Sequence, residues 1–448
     1  MTSTYQLNKH PKVLLALAFA IILPYSISAQ QNNNDTILQQ ATLENCINYA
    51  LKNNPDISNA KLDEEITEAT IKSKIADWYP QVNFNYNLQH NFQLPSSNFN
   101  GNVVHTGSVN TSGVQFGGTQ NIFNRDVLLA SRTATDVRLL SGQNTTEQNI
   151  NLAVLVSKAF YDLILTSQQL KVIDEDISRT ALSLKDAYYQ YQSGIADKTD
   201  YKRATIALNN AKAQKKTGEE SLKAKYAYLK ELMGYPAPET LELLYDTAQM
   251  EKEIFIDTLI SVDFKNRIEI QQLETQKKLQ QYNLQYYKWS FLPNVSAFGN
   301  YNVNFFNEKI SKIYNLAYPN SFVGLSLSVP IFQGGKRLQQ IKQAQLQIKQ
   351  ADNSILSFQN SISSQYQGAL ANYKSHLTDY YFVKENLALA NEVYEVIRLQ
   401  YRSGVKTYLE VINAETDLRT AQISYYNALY QLLASKIDVA QALGNINY

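Results

Sequence analysis

Two short stretches carry the same polar side chains at the same spacing. Residues 191–201 read YQSGIADKTDY and residues 401–411 read YRSGVKTYLEV. Each has a tyrosine, one polar residue, Ser-Gly, a β-branched residue, and an acid six positions after the glycine, Asp200 in one and Glu410 in the other. An alanine stands ten positions after each glycine, Ala204 and Ala414. Phenol, ammonium and carboxylate groups gathered at a turn suit hydrogen bonds and ion pairs that exchange with water at a low net difference. They are not a set for covalent chemistry.

Nothing else in the chain supplies one. There are four histidines: His10 leaves with an amino-terminal signal peptide, His90 and His105 fall in or beside a strand hairpin, and His376 lies on a helical seam. No spacing among them forms a zinc site, and the single cysteine, Cys46, has no catalytic company. The run QGGK at 333–336 lacks the earlier glycine and the following Ser or Thr of a phosphate loop, and simply opens a helix after a strand. No enzyme, metal or cofactor is expected.

The amino terminus gives an address. Lys9 and Lys12 precede the apolar run VLLALAFAIIL at 13–23, and PYSISAQ at 24–30 supplies small residues for cleavage. This is a secretory signal peptide, 1–29, with cleavage placed after Ala29 or after Ser28. Cys46 lies well past that point, so neither a disulfide nor a lipid-modified terminal cysteine is expected. No later stretch resembles a spanning helix of about 20 apolar residues, so entry into a membrane would have to be by strands. The balance of 41 basic and 40 acidic residues gives no electrostatic reason to expect nucleic acid as a partner.

The elements that must position the echoed motifs are themselves repeated. Pro80 pairs with Pro293, NIFN at 121–124 with PIFQ at 330–333, and LMG at 232–234 with ALG at 442–444, at offsets of 213, 209 and 210, against 210 for the glycines of the motifs. Steady offsets indicate an internal duplication. Each half reads as helix, strand, strand, long helix, return helix. Strands show period two: Val82, Phe84, Tyr86 and Leu88 alternate with Asn83, Asn85, Asn87 and Gln89, and Val323, Leu325, Leu327, Val329 and Ile331 share one face. The stretches 106–122 and 294–306 alternate less cleanly. Water on one side and lipid on the other would explain the pattern, as would a soluble sandwich with one wet face. Trp78, Tyr79, Tyr287, Trp289 and Phe291 crowd just before the strands in both halves, where an aromatic belt meets a membrane interface; ordinary core aromatics are the plain alternative.

The long helices carry a coiled-coil seam. Ile362, Tyr366, Ala369, Tyr373, His376, Tyr380, Val383, Leu387, Ala390, Tyr394, Ile397 and Tyr401 recur at steps of three and four, and the positions 210 earlier, Leu152 to Tyr191, repeat it nearly intact. A helix spanning 337–401 would reach roughly 100 Å, several membrane thicknesses, so it must project from a membrane. The echoed motifs then sit at the far tips of two helical hairpins. Four strands cannot close a barrel, and open edges in lipid are costly. Two chains would give eight strands and three would give twelve. The rival reading is an exported coiled-coil scaffold or adhesin without a conduit, which would need neither four alternating strands nor polar tips.

The doubled plan, LENCINYALKNNPDI at 43–57 with its Asn-Pro, and the Tyr-x-x-Gly tips resemble the TolC family of outer membrane efflux proteins over essentially the whole exported chain. The resemblance implies an α+β membrane protein. Three copies would form a twelve-stranded β-barrel in outer membrane lipid, continued by a periplasmic α-helical tunnel. The tunnel would meet a periplasmic adaptor and an inner membrane pump, as a passive exit duct for efflux or type I secretion. It places a gate latch on Thr199, Asp200, Tyr401 and Lys406, the last a lysine where the best-known members have arginine. The pore-narrowing acids fall on Glu410 and Asn413, so a second acid is missing. Ser193-Gly194-Ile195 and Ser403-Gly404-Val405 become adaptor contacts, although glycines that merely end helices would look the same. The expected organisation is a first repeat over 30–234, a connecting collar over 235–261 and a second repeat over 262–448, with external loops at 92–106 and 306–320. The chain stops four residues after Gly444, so the long carboxy-terminal extension of some relatives is missing. Cargo would be decided by the inner membrane partner.

Overall fold

A broken helix opens the described chain. The computed structural model describes residue 38 and residues 40–245 and 247–446. The expected signal peptide lies outside them, and every element of the fold belongs to the unit beginning at Gln40. One lead-in helix over 43–77 is expected, but α1 (Leu43–Asn53) and α2 (Pro55–Ala76) are separate. Pro55 bars the residue before it from helical geometry, and Asn54 is extended at φ −65° and ψ 129°. The Asn54 side-chain oxygen caps α2 instead, accepting from the Asp56 and Ile57 amides at 2.7 and 3.3 Å.

The chain continues through β1 (Gln81–His90), β2 (Ser96–Phe99), β3 (Asn102–His105), β4 (Asn110–Phe123), α3 (Arg125–Gln192) and α4 (Lys198–Met233). A connection holding the short α5 (Thr247–Lys252) leads to α6 (Ile268–Lys288), β5 (Asn294–Asn307), β6 (Ala317–Ser328), α7 (Lys336–Arg402) and α8 (Tyr408–Leu443). The long helices expected over 126–191 and 337–401 and the returns expected over 199–233 and 407–443 fall within a residue of those bounds. The last strand does not: Val329 and Ile331 lie beyond β6, which ends at Ser328 short of Pro330, and β6 starts at Ala317 inside the expected loop. Within 92–106, β2 and β3 form a hairpin turning on Asn100 and Gly101, both at positive φ (50° and 87°).

The four longer strands make one antiparallel sheet in the order β1-β4-β5-β6. Register sorts its faces. Across one run Phe84↔Phe116↔Tyr301↔Ser321 and Val82↔Gly118↔Gly299↔Val323. Across the other run Asn85↔Gln115↔Asn302↔Asn320 and Asn87↔Gly113↔Asn304↔Tyr318. The first face is almost wholly apolar, with Val82 at 75% and Val323 at 86% exposure. The second is mainly polar: an amide ladder, in which Gln115 donates to Asn300 at 3.1 Å and Asn302 to Asn320 at 2.7 Å, is flanked by the aromatic pairs Phe298–Phe322 and Phe306–Tyr318. Gly113 and Gly117 leave room for it: a Cβ there would lie 2.5 Å from the Asn87 Oδ1 and 2.7 Å from the Asn300 Oδ1. β1 and β6 each keep one unpaired edge.

The helices pack as α3 on α4, α7 on α8 and α3 on α8. The seam expected on α3 is buried at Leu152, Val156, Ala159, Leu163, Thr166, Ile173, Thr180 and Ala187. On α7, Ile362, Tyr366, Tyr373, Tyr380, Tyr394 and Tyr401 are buried. Part of α3 is apolar enough by length and composition to cross a membrane, but 67% of that window is buried among the helices. The connection is stapled across α7, where Tyr373 donates to the Ile254 carbonyl at 2.9 Å and Tyr366 to that of Ile260 at 2.7 Å. Each return helix ends on a left-handed glycine seated against the start of its half. Gly234 (φ 64°) lies over Asn53, and Gly444 (φ 75°) over Asn266.

Candidate functional site at the hairpin tips

Both hairpins turn by the same backbone device. The Ser193 amide donates to the Tyr189 carbonyl, Gly194 takes φ 70°, and the Ile195 amide reaches back to the Gln190 carbonyl at 2.9 Å. Ser403, Gly404 (φ 74°) and Val405 repeat this against Leu399 and Gln400, again closing at 2.9 Å. A left-handed glycine is what such an end requires. It leaves Ile195 and Val405 projecting, 78% and 72% exposed. All six residues named for adaptor contact are therefore at the surface of the chain.

The caps beyond the turns differ. Asp197 starts α4, accepting from the Thr199 amide at 2.7 Å, and that bond holds its carboxyl below the ordinary value. On the other tip Thr407 starts α8, and Glu410 reaches back to it: Oε2 accepts from the Thr407 amide at 2.9 Å and from its hydroxyl at 3.1 Å. The Lys406 ammonium closes on Glu410 Oε1 at 2.6 Å. The carboxyl of Glu410 is held low, first by Lys406 and then by Thr407. The structure thus joins Lys406 to Glu410, two residues expected to play different roles, while Thr199 and Asp200 sit on the opposite tip. Asn413 is exposed one turn further along α8 and joins neither pair.

Tyr401 lies deeper. With Tyr408 and Val411 it packs on Ala187 and Ala204 of the first hairpin, edged by Leu184, Tyr201, Ile397 and Ile412. Its hydroxyl donates to Gln190 Oε1 at 3.0 Å, and its ring lies 5.8 Å from that of Tyr408. Burial, with Asp186 and Asp200 nearby, pushes the Tyr401 phenol up to about 12, so it is a hydrogen-bond donor at any physiological pH. The echoed alanine Ala204 has a plain role here, since it lets the aromatic pair approach.

Above this cluster runs an ionic joint that sequence reasoning missed. Ser183 of α3 donates to Glu415 Oε1 of α8 at 2.8 Å, and Arg419 of α8 donates to Asp176 Oδ2 of α3 at 3.1 Å. Arg179 lies 3.7 Å from the other Asp176 oxygen. Asp176 is 1% and Glu415 3% exposed. The only signal was an acid beside a seam residue in one helix and beside the echoed alanine in the other: Asp176 before Ile177 of the α3 seam, and Glu415 after Ala414. The two tips are therefore fastened within one chain by an aromatic cluster and, behind it, buried charge.

At the membrane end, Tyr79 and Phe291 are 67% and 56% exposed, as an interface belt needs, and Trp78 is half-buried. Trp289 differs: the Arg132 guanidinium of α3 lies 4.8 Å over its ring, which ties it to the helices.

A one-sided apolar sheet with free edges, continuous with two long helical hairpins fastened at their tips, is the chain fold of the outer membrane channels. The family described as outer membrane efflux protein matches residues 46–235 and 259–445, and the chain belongs to it. It is accordingly an outer membrane protein whose helices lie in the periplasm. It is similar to outer membrane protein TolC of Vibrio cholerae, 19% identical over 431 residues, covering 95% of this chain and 96% of that one. TolC of Escherichia coli is 22% identical over 441 residues, covering 95% and 87%. The crystal structure of the outer membrane protein VceC from Vibrio cholerae superposes with a TM-score of 0.70 at 13% identity, covering 90% of this chain and 96% of that chain.

Proposed function

We propose that three copies of this chain join edge to edge, β6 of one to β1 of the next, into a twelve-stranded barrel continued by a helical tunnel. The assembly is the passive exit duct of an efflux or type I secretion system, working with a periplasmic adaptor and an inner membrane pump. The carrying observation is the single four-stranded sheet: its two edges are unpaired and one face is mainly apolar, which lipid tolerates only when the edges are closed. A coiled-coil scaffold would have no use for it. Residues 30–234 and 262–448 serve as the two repeats, with 235–261 as their mid-tunnel connection.

The tips are the gate. Tyr401 holds the two hairpins of one protomer together through Gln190. Thr199, Asp200 and Lys406 complete a latch between neighbours, for which Lys406 must leave Glu410. Lysine brings a point charge and no bidentate fork, so this latch is weak. Three copies of Glu410 would ring the constriction, and Lys406 neutralises each while the pair lasts. The exposed turns at 193–195 and 403–405 meet the adaptor.

Single-channel conductance in a planar bilayer tests this, wild-type beside Lys406→Ser. A small wild-type current that grows in the variant, with cation preference rising as Glu410 loses its partner, is expected. Equal currents would move the gate elsewhere. No current from folded, inserted protein would leave the scaffold reading standing.

A further inference from the structure

The two hairpin regions are nearly free of charge. Between Asp77 and Arg125 there is no Asp, Glu, Lys or Arg, and between Lys288 and Lys336 there are three: Glu308, Lys309 and Lys312. All three fall in the turn between β5 and β6, at the end of the sheet away from the helices. This turn is built rather than loose. A short 3-10 segment, Ile310–Asn315, folds back over the apolar face. There the Tyr314 hydroxyl bonds that of Tyr86 at 2.8 Å and its ring meets the Phe305 ring edge-on at 5.0 Å. Ile313 is 2% exposed beneath it. Asn307 accepts from the Lys309 amide at 2.9 Å and donates to the Lys312 carbonyl at 3.1 Å, and Asn110 donates to the Glu308 carbonyl at 2.8 Å.

The Lys309 and Lys312 side chains are exposed, and neither ammonium has a hydrogen bond or ion pair among the described residues. Ile310 and Leu316 beside them are 55% and 59% exposed. Their height follows from the strands. Roughly ten residue steps along β5, from Val295 to Phe305, at about 3.3 Å each and a tilt of about 40°, climb roughly 25 Å. That is the height of a barrel's apolar band. Tyr314 and Tyr86 therefore stand at the outer interface, where tyrosine hydroxyls meet headgroups, with two ammonium groups on the lipid side of the rim.

We propose that the turn 308–316 is a clamp for a phosphate-bearing lipid of the outer leaflet. Lys309 and Lys312 take the headgroup phosphate, while Ile310 and Leu316 lie along the first carbons of the acyl chains. The partner is committed by charge and continuity: two unpaired cations, with Glu308 the one carboxylate in the turn, at the edge of a mainly apolar surface match an amphiphile whose phosphate sits directly above its tails. A soluble anion would leave the apolar side chains unused. The proposal rests on the outer membrane placement and on the apolar face meeting lipid, not on the gate.

The test is binding of diphosphorylated lipid A, and of the same lipid with its phosphates removed, to the full-length protein in neutral detergent, read as bound lipid by native mass spectrometry. Two lysines near an anionic surface predict a preference of roughly thirtyfold for the phosphorylated form at low salt. Lys309→Gln with Lys312→Gln should abolish the preference and leave binding of the dephosphorylated lipid unchanged; Lys309→Arg with Lys312→Arg should keep it. Equal binding of the two lipids, or a preference that survives the glutamine variant, overturns the proposal. Full competition by millimolar inorganic phosphate also overturns it, in favour of a free-anion site. Channel conductance in neutral lipid is a separate readout: its loss would speak against the duct and leave the lipid preference as measured.

Discussion

At the scale of the residue, Glu415 makes the fastening between hairpins sensitive to protons. Asp176, Arg179 and Ser183 face it from α3, Tyr394 from α7, and Tyr408 and Arg419 from α8. Burial raises the Glu415 carboxyl above its ordinary value, and the Ser183 hydroxyl with the two arginines offsets only part of that. A group whose pKa is higher folded than unfolded contributes stability that is complete below the unfolded value and is lost as pH rises through the folded one. Acidification should therefore tighten this joint. Glu415→Gln keeps an acceptor for Ser183 and removes the buried charge. It should raise stability at pH 7.5 by on the order of 1 kcal/mol and flatten the loss of melting temperature between pH 5 and 7.5. A variant less stable than wild type, with an undiminished pH slope, would show that the carboxylate is instead held by its arginines. Tyr401 illustrates what was legible at this scale: its place in a repeated motif marked it. Glu415, one turn beyond the motif, was marked in the sequence only by standing beside the echoed Ala414; what sets it apart is its burial, and burial is a property of packing.

At the scale of the element, two kinds of glycine close the helices, and their costs differ. Gly194 takes φ 70° with open space around its missing Cβ, so alanine there meets only backbone strain, about 1 kcal/mol. Gly234 combines φ 64° with a Cβ position 2.4 Å from the Asn53 carbonyl oxygen. That carbonyl belongs to the Asn53-Asn54 joint, which is itself held by Asn54 donating to the Leu232 carbonyl at 2.8 Å. Gly234→Ala should therefore cost about 3 kcal/mol, several times Gly194→Ala, in chemical denaturation of the detergent-solubilised protein. Equal costs would mean that the joint yields easily. The long helices and the first strand were legible because a seam at steps of three and four, or strict alternation, survives any neighbour. The break at Asn54 was visible as Asn-Pro but was read as part of one helix, since Pro at the first turn is also compatible with helix. The extent of β6 was not legible: its face is set by register with β5, and the expected strand followed the apolar residues past Pro330, where a missing N–H ends pairing.

At the scale of the whole molecule, the sheet must satisfy two solvents at once. Its four strands contain no Asp, Glu, Lys or Arg. Two faces of different chemistry, one mainly apolar and one rich in amides, thus arise from side chains without Asp, Glu, Lys or Arg, and a charge introduced into either becomes a probe of what lies against it. Val323 lies near the middle of the apolar face, paired with Gly299, and is 86% exposed in the single chain. Asn85 is on the amide face, paired with Gln115 and likewise exposed. If lipid covers the first face and a water-filled bore the second, Val323→Lys should cost about 2–4 kcal/mol near the bilayer midplane. It should sharply lower the fraction that folds into vesicles. Asn85→Lys should fold like the wild type, because its ammonium stays in water. Equal tolerance of the two substitutions would mean that both faces are wet, and equal damage that neither lines a bore. Only the asymmetry is compatible with a barrel wall one strand thick, and it is the property on which the duct, the belt and the lipid clamp all depend.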